Sequence, residues 1–144
     1  MALTADRNTP ELGTGARRGP VAAAQKIYMG SLVMRDAAGN LVKGAVAVGL
    51  VGVGRAEEQV DNAGGAAGAK SINYRPGIFR FANSTGADEI TAADIGMVCY
   101  AVDDETVART SATNTRSPAG VIDMVDATGV WVRLDAALTK AAIS

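Results

Sequence analysis

The stretch from Lys70 to Phe81, KSINYRPGIFRF, limits the fold most, because apolar and polar residues alternate on both sides of a Pro-Gly step. Ile72 and Tyr74 alternate with Ser71, Asn73 and Arg75, and Phe79 and Phe81 flank Arg80. A period of two sends successive side chains to opposite faces, the pattern of a strand with one face covered. Both phenylalanines and one of the 3 tyrosines fall here, so the segment is expected to supply the bulkiest part of the core. Pro76-Gly77 is compatible with a type II turn, but the twist of that turn suits a two-residue hairpin poorly. The expectation is therefore one strand, bent or bulged at Pro76-Gly77.

The surrounding chain repeats the theme with shorter pieces. Leu32-Val33-Met34, the turn residues Asp36 to Asn40, and Leu41-Val42 predict a hairpin. After Gly44, the run AVAVGLVGVGRAEEQV reads as a strand that bends where Gly49, Gly52 and Gly54 lack side chains, and Asp61 to Gly68 as an exposed loop. Asn83 to Asp88 reads as a loop, and Thr91 to Gly96 as one capped helical turn closed by glycine. Met97 to Val102, the turn Asp103-Asp104-Glu105, and Thr106 to Arg109 predict a second hairpin. Beyond the polar loop Thr110 to Ser117, Val121 to Val125 and Val130 to Leu134 predict two more strands around Asp126 to Gly129. The last of these places either Val130, Val132 and Leu134 or Trp131 inside; the aliphatic face is favoured, with Trp131 at a rim or interface.

Short strands separated by turns predict an all-β fold, a small barrel or a sandwich of antiparallel strands. At 144 residues the chain suffices for one such core. That core is expected over residues 21–135. Residues 1–20 lack periodicity and read as an extended N-terminal arm, and 136–144 as a short, weakly helical C-terminal tail. Fully extended, such an arm reaches roughly 60 Å.

Composition excludes several function classes. A net charge of −1 provides no field that draws nucleic acid or an anionic membrane. No apolar run approaches the roughly 20 residues of a spanning helix. No basic stretch followed by an apolar one marks a signal peptide, so the product is expected to stay in the cell that makes it. The absence of histidine removes the commonest general base and metal ligand, and zinc is set aside with it. Cys99, the single cysteine, sits in an apolar strand pattern and reads as a buried structural thiol. Asp103 to Glu105, Asp123 and Asp126 read as solvated turn carboxylates, and the glycines at 49, 52 and 54 lack phosphate-loop spacing. Lys43 and Lys70 read as ordinary surface lysines, and the Asn83-Ser84-Thr85 acceptor match as chance. Arg17 and Arg18 read as a solvated pair, with acidic groups on a partner as the functional alternative. No catalytic, cofactor or metal site is expected.

With the strands placed, the order of features resembles the head-decoration, or cement, proteins of tailed bacteriophages. The residues carrying the resemblance are Gly30-Ser-Leu-Val-Met34 with Asp36, Gly39-Asn-Leu-Val42, Ala47-Val-Gly49-Leu50 and Tyr74-Arg-Pro-Gly-Ile-Phe-Arg-Phe81. Over residues 26–81 the chain is similar to the lambda-type proteins. Further on, Val102-Asp-Asp-Glu-Thr-Val107 and Asn114-Thr-Arg-Ser-Pro-Ala-Gly120 are similar to longer decoration-like proteins of Mu-like prophages. The resemblance implies a structural module on the outer surface of the virion, made in the host bacterial cytoplasm, that holds major capsid protein subunits together. It implies a homo-oligomer, a trimer in the lambda-type relatives; the second hairpin and the tail depart from that pattern and leave a dimer as the alternative. Partner contacts are then expected from Leu3 and Leu12 on the arm, Arg17 and Arg18 at its base, Arg116 in the Thr110–Ser117 loop, and Trp131. Three rivals stand beside this reading: a virion adhesion or sugar-binding module using Trp131 or Tyr28, a tail or connector subunit, and an enzyme.

Overall fold

A computed structural model of the chain describes residues 2–13 and 15–143. Its strands are β1 (Arg17–Pro20), β2 (Gln25–Ile27), β3 (Leu32–Arg35), β4 (Leu41–Lys43), β5 (Val51–Ala56), β6 (Val60–Asn62), β7 (Ser71–Arg75), β8 (Gly77–Asn83), β9 (Val98–Ala101), β10 (Thr106–Ala108), β11 (Pro118–Asp126) and β12 (Gly129–Leu134). One helix, α1 (Ala136–Ile143), follows. The fold is all-β, and its closed part is a barrel. The order β10-β8-β12-β11-β9 returns on itself, antiparallel except for the β8–β10 pair. Beside it lies an antiparallel sheet, β1-β7-β5-β3-β4, and a small β2–β6 ribbon. A bridge from Val21 to Leu41 brings the two edges of that sheet together.

The Lys70–Phe81 stretch is not one bent strand. Pro76 divides it, and the two halves enter different layers: β7 pairs with β1 and β5, whereas β8 pairs with β12 and β10. Pro76 has no N–H for a ladder. Gly77 has φ +149, so the backbone turns out of the first sheet where only glycine is at ease. The interruption lies where the sequence places it, but it works as a crossing rather than a kink.

Two cores result. Leu32 and Met34 point into the barrel with Phe81, Ile122, Val130, Val132 and Leu134, while Val33 between them joins Val51, Val53, Ile72 and Tyr74 in the second core. Strand β3 thus faces both, and its unbroken apolar run is what a strand covered on two sides requires. Strand β5 solves the same problem differently: Val51 and Val53 face the second core, and between them Gly52 lets the backbone meet β11. A Cβ there would stand 1.8 Å from the Ala119 carbonyl oxygen.

The β3–β4 hairpin forms as expected, with Asp36 Oδ1 accepting from the Ala38 and Asn40 amides at 3.0 and 2.9 Å. The β9–β10 hairpin and the β11–β12 pair form too, and Val130, Val132 and Leu134 are fully buried. Thr91 to Gly96 makes a short 3-10 turn, Ala92–Asp94, whose Asp94 carboxylate accepts from the Thr91 amide at 2.8 Å.

Three expectations change. Residues 45–50 are a loop that leaves Val46 and Val48 exposed; the strand begins only at Val51, after Gly49 at φ +78. The Asp61–Gly68 loop is anchored by buried Asn62, whose side-chain amide donates to the Ala22 and Ala66 carbonyls, both at 3.0 Å. Finally, Arg17–Pro20, read as part of the arm, is a strand of the sheet, paired with β7 from Arg17–Tyr74 to Pro20–Ser71.

Candidate interaction surface

The described arm residues, 2–13, are all exposed and form no strand or helix. Leu3 and Leu12 are 72% and 73% exposed. The base of the arm is fixed. Arg17 Nη1 donates to the carbonyls of Gly13 and Gly15 at 2.6 and 3.0 Å, which curls the chain as it leaves β1. Arg18 turns to Asn73 Oδ1 at 3.2 Å and lies 3.8 Å from Glu58. Both arginines therefore find partners within their own chain.

Arg116 is likewise engaged. Its Nη1 reaches Asp88 Oδ2 and the Thr110 carbonyl, each at 3.1 Å. Asp88 also accepts from the Thr110 hydroxyl, and this bond, followed by the Arg116 guanidinium, lowers its pKa. The pair braces a loop in which Ala112, Thr113 and Asn114 have φ of +50, +59 and +64, a costly run for residues with side chains. Arg116 shapes the Thr110–Ser117 loop instead of reaching outward, which sequence spacing alone did not reveal.

Trp131 stands on the outer face of the barrel, half-buried. Its Nε1–H donates to Asp126 Oδ2 at 2.9 Å, and the Arg80 guanidinium lies 5.8 Å from the ring centroid. Strand pairing sets Trp131 between Arg80 on β8 and Met124 on β11. Tyr28 lies elsewhere, just past the end of β2, under Lys26 Nζ at 5.2 Å, and is 51% exposed.

Bonds from the Thr128 hydroxyl, Trp131 and the Thr128 amide draw the Asp126 pKa down to about 2 from 3.8. The sign follows directly. A depressed folded pKa contributes stability that is complete above the unfolded value and fades as pH falls through the folded one. The stability difference between wild type and Asp126→Asn should hold steady above about pH 4 and shrink toward pH 2 in urea titrations; a difference independent of pH would exclude this role.

Sequence reasoning missed one surface. Open grooves of 360 and 410 Å³ meet at Tyr100 and Ile143, where α1 packs beside β9 and β11. Val48, Met97 and Ile143 are 69%, 61% and 49% exposed on their rims. The only signal was the glycine-broken apolar run before Val51, which reads equally well as strand.

Cys99 is fully buried, and burial pushes its thiol pKa up to about 12. Native protein at pH 8 should not react with a thiol reagent on the timescale that labels the denatured chain; prompt native labelling would contradict the buried placement. Among the described residues no three His, Cys, Asp or Glu side chains gather into a metal-sized cluster, and no helix is long and apolar enough to cross a membrane. No protein-family model, curated protein or solved structure matches the chain.

Proposed function

We propose that this chain is a structural protein of a tailed-phage particle, decorating the outside of the capsid and bridging major capsid protein subunits without performing a reaction. The observation that carries the reading is the arm: two exposed leucines on a segment without strand or helix that leads out of the β fold. A segment of this kind pays its ordering entropy on docking and gains the burial of its leucines there. Many copies on one shell multiply modest contacts into a strong brace. The resemblance over residues 26–81 supplies the identity of the shell, and the proposed assembly is a homo-oligomer, a trimer by that resemblance or a dimer. No direct contact with nucleic acid or membrane belongs to this function.

Purified particles of the phage encoding this chain test the reading. The chain should co-sediment with intact, DNA-filled heads and be accessible to antibody added from outside. Particles lacking it, or carrying it only in the tail, would refute the proposal. A second reading, a sugar-binding or adhesion module on the virion, rests on Trp131 with its neighbouring Arg80 and Asp126. Binding to a glycan array that is lost in Trp131→Ala would favour it.

A further inference from the structure

Arg80 is the unpaired cation of the barrel face. It points outward from β8, stacks over Trp131, and makes no hydrogen bond or ion pair among the described residues. The nearby carboxylates are already committed, Asp126 to Trp131 and Thr128, and Asp123 to Arg133 at 3.7 Å. Arg55, across the same groove, is held by Glu57 through bonds of 2.9 and 2.6 Å. Beside Arg80 runs an open groove of 330 Å³ lined in part by Ile78, Phe79, Phe81 and Trp131. Phe81 belongs to the barrel core and the Arg55 guanidinium lies 4.3 Å over the Phe79 ring, so the carbon left open on the Arg80 face is that of Ile78, 40% exposed, and of half-buried Trp131. The groove offers an uncommitted guanidinium beside exposed carbon, a site for a carboxylate next to an aliphatic side chain.

The arm carries that pair. Glu11 is a carboxylate with no partner among the described residues, and Leu12 beside it is 73% exposed. The two residues are adjacent on an exposed segment outside any strand or helix, so no pairing fixes them on opposite faces of a sheet. In the single chain the arm stays off the groove, with its base curled by Arg17. We propose that Glu11-Leu12 of one copy docks in the Arg80–Trp131 groove of a second copy, Glu11 pairing with Arg80 and Leu12 covering Ile78, which shares the exposed face of β8 with Arg80. The inference rests on the reading of the arm as a docking segment but needs no capsid, so the two can fail separately.

Sedimentation of the purified full-length chain from about 1 μM to 1 mM tests it. Wild type should associate with rising concentration. Arg80→Glu, Glu11→Arg and Leu12→Ser should each weaken association about tenfold or more, with unchanged melting temperatures because all three positions are exposed. The double exchange Glu11→Arg with Arg80→Glu should recover most of the loss. A monomer at every concentration, or an oligomer that all three single variants leave intact, would overturn the proposal, as would a double exchange no better than either parent.

Discussion

Gly52→Ala should cost about 4 kcal/mol or more and lower the melting temperature by roughly 10 °C. The added Cβ would meet Ala119 backbone atoms at 1.8, 2.7 and 3.0 Å, and neither partner is a side chain able to rotate away. Relief requires parting β5 from β11, which opens the seam between the sheet and the barrel. Overpacking in a core ordinarily costs about 1–3 kcal/mol; a backbone-to-backbone clash belongs above that range. Since a domain of this size is stable by about 5–15 kcal/mol, a large share is at stake. Gly64→Ala is the control. Nothing lies within 4 Å of its Cβ position, so its effect should stay within about 0.5 kcal/mol. Equal melting temperatures for the two variants would mean that β5 does not approach β11 as described.

Removing residues 2–12 should leave the melting temperature unchanged and lower occupancy on particles about tenfold or more at limiting protein. Stability is untouched because these residues are exposed and unpaired, and the cut spares Gly13, whose carbonyl receives Arg17. Docking suffers because Leu3 and Leu12 together represent about 3–6 kcal/mol of burial, only part of which ordering the neighbouring backbone offsets. A longer deletion through residue 19 would be misleading, since it removes most of β1 and leaves β7 paired only with β5. Undiminished occupancy of the 2–12 deletion would take the arm out of the mechanism.

How far the chain could be read in advance depended on whether a local pattern had one physical solution. Asp36 to Asn40 between two apolar pairs had one, and the β3–β4 hairpin is there. Val130, Val132 and Leu134 against Trp131 had two, and burial of the aliphatic face follows from volume and from the polar indole nitrogen, which finds Asp126 outside. Alternation across Pro76 fixed which side chains are covered but carried no information on which layer covers them. Residues on one apparent strand therefore serve two sheets. The valines at 46 and 48 have strand chemistry without a partner strand, since pairing is decided by residues distant in sequence. Of the expected contact residues, the exposed leucines could be recognised from the lack of periodicity around them. The engagement of Arg116 with Asp88 could not, because 28 residues separate the pair.

The proposal of an external brace is tested most directly by reconstructing intact particles of the phage it implies, at a resolution that resolves side chains. The account predicts β-rich density outside the shell at the junctions of major capsid protein subunits, fitted by the barrel and its sheet, with residues 2–13 ordered along a neighbour. A bare outer surface, or density for this chain confined to the tail, would contradict it.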